Sequence, residues 1–156
     1  GKTKHVGIET NASLDLLPNT LTLSLQVTWS DQTYAFNHPV TSGSEAIIKG
    51  SKIDTAPEWI TGSTLAWFPT KKIRLSLLVK HIGEYFTNPA NTHKYEGHTI
   101  GHIDARYFLH QNTTLYLRIR NITDEQVFIG GVDFSNNAAM VNQPRIMGVE
   151  FKVSFF

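Results

Sequence analysis

Apolar and polar residues alternate one by one along most of this chain, and this period of two constrains the fold more than any other feature. Between residues 21 and 29, every odd position is apolar and every even position is polar. Successive side chains of a β-strand point to opposite faces, so this segment has one apolar and one polar surface. Its apolar positions are Leu21, Leu23, Leu25, Val27 and Trp29. No segment shows a convincing helical period, and the pattern predicts an all-β protein.

The alternation recurs in seven segments, most of them roughly 9 to 13 residues long. The apolar positions of the other six are Val6, Ile8, Thr10, Ala12, Leu14 and Leu16; Trp59, Leu65 and Trp67; Ile73, Leu75, Leu77 and Val79; Ile103, Ala105, Tyr107 and Leu109; Leu115, Leu117 and Ile119; and Met147, Val149, Phe151, Val153 and Phe155. Leu78 is an exception on the polar side. Strands of globular proteins are mostly about 5 to 6 residues long, whereas about 9 to 11 tilted residues cross a bilayer. The lengths favour strands of a membrane barrel.

The connections between these segments fall into two kinds that alternate along the chain. Tight turns are predicted at residues 17–20, 68–72 and 110–113, and long loops at residues 31–57, 86–98 and 123–144. Up-and-down strands place all the tight turns at one end of a sheet and all the long loops at the other. Short turns on one side and long loops on the other are typical of outer-membrane barrels. The sequence therefore predicts an antiparallel, up-and-down segment of a transmembrane β-barrel.

The composition excludes several other kinds of protein. The net charge is +1, which removes the electrostatic reason to expect a nucleic acid as partner. Without cysteine, the chain can form no disulfide, thiolate metal site or catalytic thiol. No apolar run is long enough for a transmembrane helix. Because the chain begins at Gly1 without a signal-like apolar core, we expect any targeting segment to lie upstream.

Several short motifs in a fixed order identify a resemblance to a known family. They are Gly7-Ile8-Glu9, the turn Pro18-Asn19, Ala56-Pro57, Trp67-Phe68-Pro69, Asn121-Ile122-Thr123-Asp124, and Gln143-Pro144-Arg145 before a final strand that ends in Phe156. In this order and spacing, the chain resembles the C-terminal part of TonB-dependent outer-membrane receptors. The resemblance covers essentially all of residues 1–156.

The resemblance implies a barrel of about 22 strands whose lumen is filled by an N-terminal plug. Such receptors take up scarce ligands, most of them ferric siderophores, with energy supplied through TonB. On this interpretation the plug, the TonB-binding region and the remaining strands lie outside the chain. Its partners are the rest of the barrel, the plug, TonB through that missing region, lipid of the bacterial outer membrane, and a siderophore. Seven strands are too few to close a membrane barrel, so the chain is not expected to transport anything alone.

The resemblance also implies a role for the last residues of the chain. Family members commonly end in an aromatic residue that faces lipid and serves membrane assembly. Phe155 has the lipid-facing parity of its strand, whereas the terminal Phe156 does not. We therefore expect either a one-residue offset in this signal or a β-bulge that corrects it.

Charged residues of the alternating segments fall on the polar side of their strands. We interpret them as lumen charges that pair across neighbouring strands or with the plug. They are Glu9, Asp15, Arg74, Lys80, Asp104, Arg106, Arg118, Arg120, Glu150 and Lys152, with Glu84 assigned to the same side.

The long loops are rich in aromatic and imidazole rings, which are the candidates for ligand contact. Loops on a rigid scaffold commonly carry recognition, and rings bury a large area at a low cost in entropy. The candidates are Tyr34, Phe36, His38, Phe86, His93, Tyr95, Phe128 and Phe134. The alternative for each ring is that it packs the loops against one another.

No arrangement of residues predicts an enzyme, a metal site or a cofactor. A nucleophile, a base and an orienting group do not occur in a recognisable pattern, and the Gly-x-Ser-x-Gly motif of a barrel lipase is missing. His98 and His102 share one strand face, but they lie about 13 Å apart along it. That separation is too large for one ion without help from other strands.

A second hypothesis is a soluble β-sandwich ligand-binding module. In that fold the apolar faces of two sheets meet each other and form a dry core. Alternation alone does not separate the two folds, because both need one apolar face per strand. Strand length, the sorting of loops and the family resemblance favour the barrel.

Overall fold

The computed structural model describes residues 1–39, 46–133 and 138–155, which contain strands and no helix. Seven long strands form one sheet and four short strands form two hairpins. The bounds are β1 (Thr3–Leu17), β2 (Leu21–Tyr34), β3 (Trp59–Thr70), β4 (Ile73–Ile82), β5 (Tyr85–Phe86), β6 (Lys94–Tyr95), β7 (His98–His110), β8 (Thr113–Arg120), β9 (Phe128–Asp133), β10 (Ala138–Val141) and β11 (Ile146–Val153). In the described part of the chain, no helix is long and apolar enough to cross a membrane.

The large sheet is antiparallel throughout, in the order β1-β2-β3-β4-β7-β8-β11. The prediction of seven up-and-down strands is confirmed. The pairing registers also confirm the predicted faces, because they align apolar positions across every strand. One continuous row is formed by Leu14, Leu23, Leu65, Leu77, Ile103, Ile119 and Met147. We call this side the apolar face and the opposite side the polar face.

The apolar face is uncovered. Met147, Val149 and Ile8 are 69%, 74% and 65% exposed, and the described residues contain no large side chain that is fully buried. A β-sandwich would bury these side chains against a second sheet, whereas this sheet has a single layer. The sandwich alternative is therefore wrong for the described part of the chain.

Aromatic side chains lie near both ends of the apolar face. Trp29 is opposite Trp59 close to the long loops, with ring centroids 6.5 Å apart, and Trp67 is opposite Leu21 close to the tight turns. Eight residues of β2 separate the two levels, about 27 Å along the strand. With a strand tilt of about 45°, the apolar band is about 20 Å tall, close to the band of outer-membrane barrels.

The tight turns form where the sequence predicts them. Asn19 adopts a left-handed conformation with φ 57°, which asparagine tolerates better than most residues, and the Thr20 N–H donates to the Leu17 carbonyl at 3.0 Å. In β3, Pro69 lies at the register shift between Trp67 and Thr70. Proline has no N–H to give to the ladder, so it is tolerated at this irregularity.

The long connections contain more structure than the sequence indicated. The first was predicted to begin at residue 31, but β2 continues to Tyr34 because β1 begins at Thr3 and pairs with it over that length. The second carries the hairpin of β5 and β6, and the third carries the hairpin of β9 and β10. The connections predicted as loops are therefore partly folded.

The sheet has two free edges. In β1 and β11 every described residue is exposed, because each strand has a neighbour on one side alone. Unpaired strand edges present rows of free N–H and C=O groups.

Candidate functional site

The registers place the predicted lumen charges on one face of the sheet, with one exception. Glu84 lies beyond the end of β4 and pairs with Lys94 of β6, at 2.6 Å. The parity of a strand does not extend past its last residue, so the assignment of Glu84 to the polar face was wrong. Whether the other charges line a lumen stays a prediction.

The polar face divides into two parts of opposite charge. On β1, β2 and β3 it carries Glu9 and Asp15 but neither lysine nor arginine. We call this part the acidic half. Asp15 accepts a hydrogen bond from the Thr22 hydroxyl at 2.8 Å. The small residues Ser13, Ser24, Gly62 and Thr64 line an open groove there of about 410 Å³.

The basic half is the polar face of β4, β7, β8 and β11. It carries Arg74, Lys80, Arg106, Arg118, Arg120 and Lys152, together with Asp104 and Glu150. Arg118 donates to Glu150 at 2.8 Å and lies 3.5 Å from Asp104, while Arg120 approaches the second oxygen of Asp104 at 3.4 Å. Both carboxylates are thus engaged across neighbouring strands.

The candidate rings of the first loop pack closely beside the end of β2. The Tyr34 hydroxyl donates to the Asp54 carboxylate at 2.5 Å, and the Phe36 ring meets Tyr34 edge-on with centroids 5.8 Å apart. His38 pairs with Ile47 through backbone hydrogen bonds. The sequence offers no signal for Asp54, since its contact with Tyr34 spans the whole loop.

The candidates of the second loop form a separate cluster. The rings of Tyr85 and Tyr95 lie 5.1 Å apart, and the Tyr95 hydroxyl is 2.8 Å from Nδ1 of His98. Burial raises the pKa of Tyr85. Phe86 continues β5, and the His93 carbonyl accepts from the Thr87 N–H at 2.9 Å. These contacts favour a packing role for the rings.

The first two loops are joined by hydrogen bonds that sequence reasoning missed. The Asn91 side chain accepts from the Lys52 N–H at 2.8 Å and donates to the Lys52 carbonyl at 2.9 Å. The Thr55 N–H donates to the Phe86 carbonyl at 2.7 Å. Lys52 also contacts Glu58 and, at 2.9 Å, Asp31. Hydrogen bonds from Glu58 and Asp31 raise the pKa of Lys52.

A cleft of about 110 Å³ lies between these two loops, lined by Lys52, Ala56, Glu58, Glu84, Tyr85, Phe86 and Lys94. Sites for drug-sized ligands are usually about 300–1,000 Å³. The cleft could therefore hold one functional group of a ligand, and a larger ligand would need further walls.

The histidines predicted not to share a metal ion have different partners. His98 contacts Tyr95, whereas Nδ1 of His102 accepts from the Asn121 N–H at 3.1 Å. Within residues 1–39, 46–133 and 138–155, no group of three histidine or carboxylate side chains is placed to hold a metal.

The remaining predicted residues lie near the ends of the described ranges or outside them. The backbone of Phe128 begins β9, whereas Phe134 and Phe156 lie outside the described residues. Phe155 follows the end of β11 and is 89% exposed. The predicted register of the terminal aromatic residues stays a prediction.

Asn121 is a buried residue that sequence reasoning did not select as functional. It is 3% exposed, and its side-chain amide donates to the carbonyls of Glu125 and Gln143 at 2.9 and 3.1 Å. It thereby joins the two ends of the third loop. The sequence did contain a hint of its importance, because Asn121 is the first residue of the motif Asn121-Ile122-Thr123-Asp124.

Comparison with known proteins identifies the fold. No protein-family model and no curated protein sequence matches the chain. Solved structures similar to it include the siderophore receptor PiuA from Acinetobacter baumannii (TM-score 0.82, 15% identity, covering 97% of this chain and 22% of that one). They also include the ferric yersiniabactin uptake receptor FyuA from Yersinia pestis (TM-score 0.78, 17% identity, 99% of this chain and 24% of that one) and the ferric citrate transporter FecA (TM-score 0.76, 20% identity, 98% of this chain and 24% of that one).

The similarity extends over nearly the whole chain, which spans less than a quarter of each of these proteins. At such identities the comparison establishes the fold alone. An open, antiparallel, seven-stranded sheet matched to barrel receptors is a portion of a barrel. The chain therefore has the fold of part of a TonB-dependent receptor barrel, as the resemblance in its sequence predicted.

Proposed function

We propose that the chain is the C-terminal part of the barrel of a TonB-dependent receptor in the bacterial outer membrane, and that the whole protein takes up a ferric siderophore. The observation that carries this proposal is the uncovered apolar row that crosses all seven strands. Water would penalise such a surface, whereas lipid accepts it. The chain acts as a binding and transport scaffold and not as an enzyme.

The names of the similar proteins support the ligand class. Two are described as receptors for a siderophore or for ferric yersiniabactin, and one as a transporter of ferric citrate. The loop rings of this chain supply aromatic surface to the cleft, whose lysines, Lys52 and Lys94, pair with acidic side chains. Aromatic surface suits a ligand that carries rings or apolar groups of its own.

The membrane part of the proposal is tested by extraction of the full-length protein. We expect it to remain with outer membranes in high salt and in alkaline carbonate, and to dissolve in detergent. Release without detergent would contradict the proposal.

The transport part is tested by uptake of radioactive iron in cells with and without the full-length gene. The probes are ferric complexes of a catecholate, a hydroxamate and citrate, supplied one at a time. We expect one of them to enter only in cells that carry the gene, and its uptake to stop when the proton-motive force is collapsed. Equal uptake of all three with and without the gene would contradict the ligand class.

The loop rings are tested by the triple substitution Tyr34→Ala, Phe36→Ala and Tyr95→Ala in the full-length protein. We expect weaker binding of the transported complex with normal insertion, because Tyr34 ends β2 on the loop side and Phe36 and Tyr95 follow in the loops, away from the apolar rows of the sheet. The matched control is Tyr107→Ala, which removes a ring near the tight turns. If affinity and uptake are unchanged in the correctly inserted triple variant, recognition lies in loops outside this chain.

A further inference from the structure

Part of the first loop is hydrogen-bonded to the sheet. The last residues of β2 extend past β3, and residues 50–53 pair with them instead. The Tyr34 N–H donates to the Ser51 carbonyl at 2.9 Å, and the Ile53 N–H donates to the Gln32 carbonyl at 3.0 Å. Because paired backbone groups fix the path of a chain, this part of the loop is held in place by β2.

The second loop is held against this segment by the side chain of Asn91. Its oxygen accepts from the Lys52 N–H at 2.8 Å, and its amide donates to the Lys52 carbonyl at 2.9 Å. We call this pair of hydrogen bonds the Asn91 clasp. The Thr55 N–H adds a third bond between the loops, to the Phe86 carbonyl at 2.7 Å. Asn91 adopts a left-handed conformation with φ 55°, which asparagine tolerates better than most residues.

The cleft of about 110 Å³ lies between the two loops that the clasp joins. Its lysines are paired with acids of the same loop: Lys52 contacts Glu58 in the first loop, and Lys94 lies 2.6 Å from Glu84 in the second. Each ion pair therefore lies within one wall and does not draw the two walls together. The hydrogen bonds between the loops set the distance from one wall to the other.

Walls that are already ordered bind a ligand at a lower cost in entropy than walls that must first be ordered. We propose that the first two loops form one body in which the cleft is preformed, and that Asn91 is the positioning residue that holds its walls together. The cleft takes a ring or apolar group of the ferric complex, because Tyr85 and Phe86 line it and its lysines are paired. This inference rests on the proposed function, which makes these loops part of the ligand site.

Hydrogen exchange of the full-length protein in detergent tests the clasp without any ligand. Asn91→Gly removes the side chain and keeps the left-handed backbone, which glycine adopts readily. We expect the amides of Lys52 and Thr55 to exchange several-fold faster in this variant. The matched control is Asn37→Gly, because Asn37 accepts from the Lys49 N–H at 2.7 Å within the first loop alone. Unchanged exchange at residues 52 and 55 in Asn91→Gly, or equal acceleration in the control, would overturn the inference.

The same measurement with added iron complexes tests whether the cleft is preformed. Ferric complexes of a catecholate, a hydroxamate and citrate are added one at a time. We expect the amides of Lys52 and Thr55 to be protected before any addition, and to change little when a complex binds. Fast exchange that becomes slow only on binding would show that the loops close around the ligand, which contradicts a preformed cleft.

Uptake kinetics test the positioning role of Asn91. We expect Asn91→Gly to raise the KM for uptake of the transported complex several-fold at unchanged maximal rate, because fewer molecules have the cleft formed. A variant that is merely inserted poorly would lose maximal rate instead. Asn91→Asp keeps an acceptor for the Lys52 N–H and loses the donor, so its KM should lie between those of Asn91→Gly and the unchanged protein.

The outcomes separate this inference from the proposed function. If none of the three complexes enters cells through the unchanged protein, the proposed ligand class fails, while amide exchange still shows whether Asn91 joins the loops. If a complex is transported but Asn91→Gly leaves its KM unchanged, the positioning role of Asn91 alone fails.

Discussion

The acidic and basic halves of the polar face differ sharply, whereas the apolar surfaces behind them are alike. Leu14, Leu23 and Leu65 back the acidic half, and Leu77, Ile103, Ile119 and Met147 continue the same row behind the basic half. On the other side, small neutral residues and two acids give way to arginines in stacked and ion-paired arrangements. On the proposed function the apolar surface faces lipid, which requires only apolar side chains. The polar face is under no such single requirement, and its charges differ from strand to strand.

The largest expected effect concerns the two edges of the sheet, where the acidic half ends at β1 and the basic half ends at β11. The edges of β1 and β11 are unpaired, and hydrocarbon satisfies no free backbone group. We expect the isolated 156-residue chain not to be a stable monomer in detergent, and another polypeptide to pair with both edges in any ordered state. Size-exclusion chromatography with light scattering and circular dichroism measure this, with the full-length receptor as control. A monodisperse, folded monomer of the chain would show that the sheet is stable without further strands at its edges, and would contradict the prediction.

A charge on the apolar face should cost the same behind either half. Leu25 and Leu77 are similarly exposed, at 37% and 39%, on β2 and β4. In the full-length protein, Leu25→Arg and Leu77→Arg should each lower the free energy of unfolding by about 2–4 kcal/mol if they lie near the bilayer midplane.

The control for these two variants is Gln26→Arg, which places the same charge on the polar face and should be mild. Folding yield and chemical denaturation in lipid vesicles measure all three. Equal costs at positions 25 and 26 would reject the assignment of faces, and unequal costs at positions 25 and 77 would show that the lipid-facing surface is not uniform.

A smaller effect should separate the polar surfaces of the two halves. Asp104 contacts both Arg118 and Arg120, whereas the described residues give Glu9 no ion pair. Because these groups are partly solvent-screened, Asp104→Asn should lower the free energy of unfolding by about 1 kcal/mol. Glu9→Gln should change it by less. Denaturation at low and high salt measures both, and the cost of Asp104→Asn should shrink as salt is added. Equal costs for the two variants would remove the distinction between the halves.

The sequence predicted the faces well because side-chain direction in a strand is a local property. Even the irregular third strand was placed correctly, with Trp59, Leu65 and Trp67 on the apolar side. The tight turns were equally local, since Pro18, Asn19 and Pro69 limit the backbone by their own chemistry. The wrong face for Glu84 and the underestimated length of β2 both concern the ends of strands. The point at which a strand ends depends on its neighbour and not on its own residues.

The candidate site was predictable only as a set of residue types. Rings and charges could be assigned to loops or to a face, but their partners lie far away along the chain. The contacts of Tyr34 with Asp54 and of Asn91 with Lys52 span 20 and 39 residues. No periodic pattern encodes such contacts, because they form only after several strands have paired.

By itself, then, the sequence determined which residues form strands, which side of each strand is apolar, and that the polar side carries charge. Those properties follow from the period of the pattern and from the conformational limits of proline and asparagine. Tertiary structure alone decided that Arg74 faces Arg106, that Asp104 is shared by Arg118 and Arg120, and that the charge divides into two halves. The physical reason is register: a shift of one strand along its neighbour leaves every local pattern intact but changes every pair across the sheet.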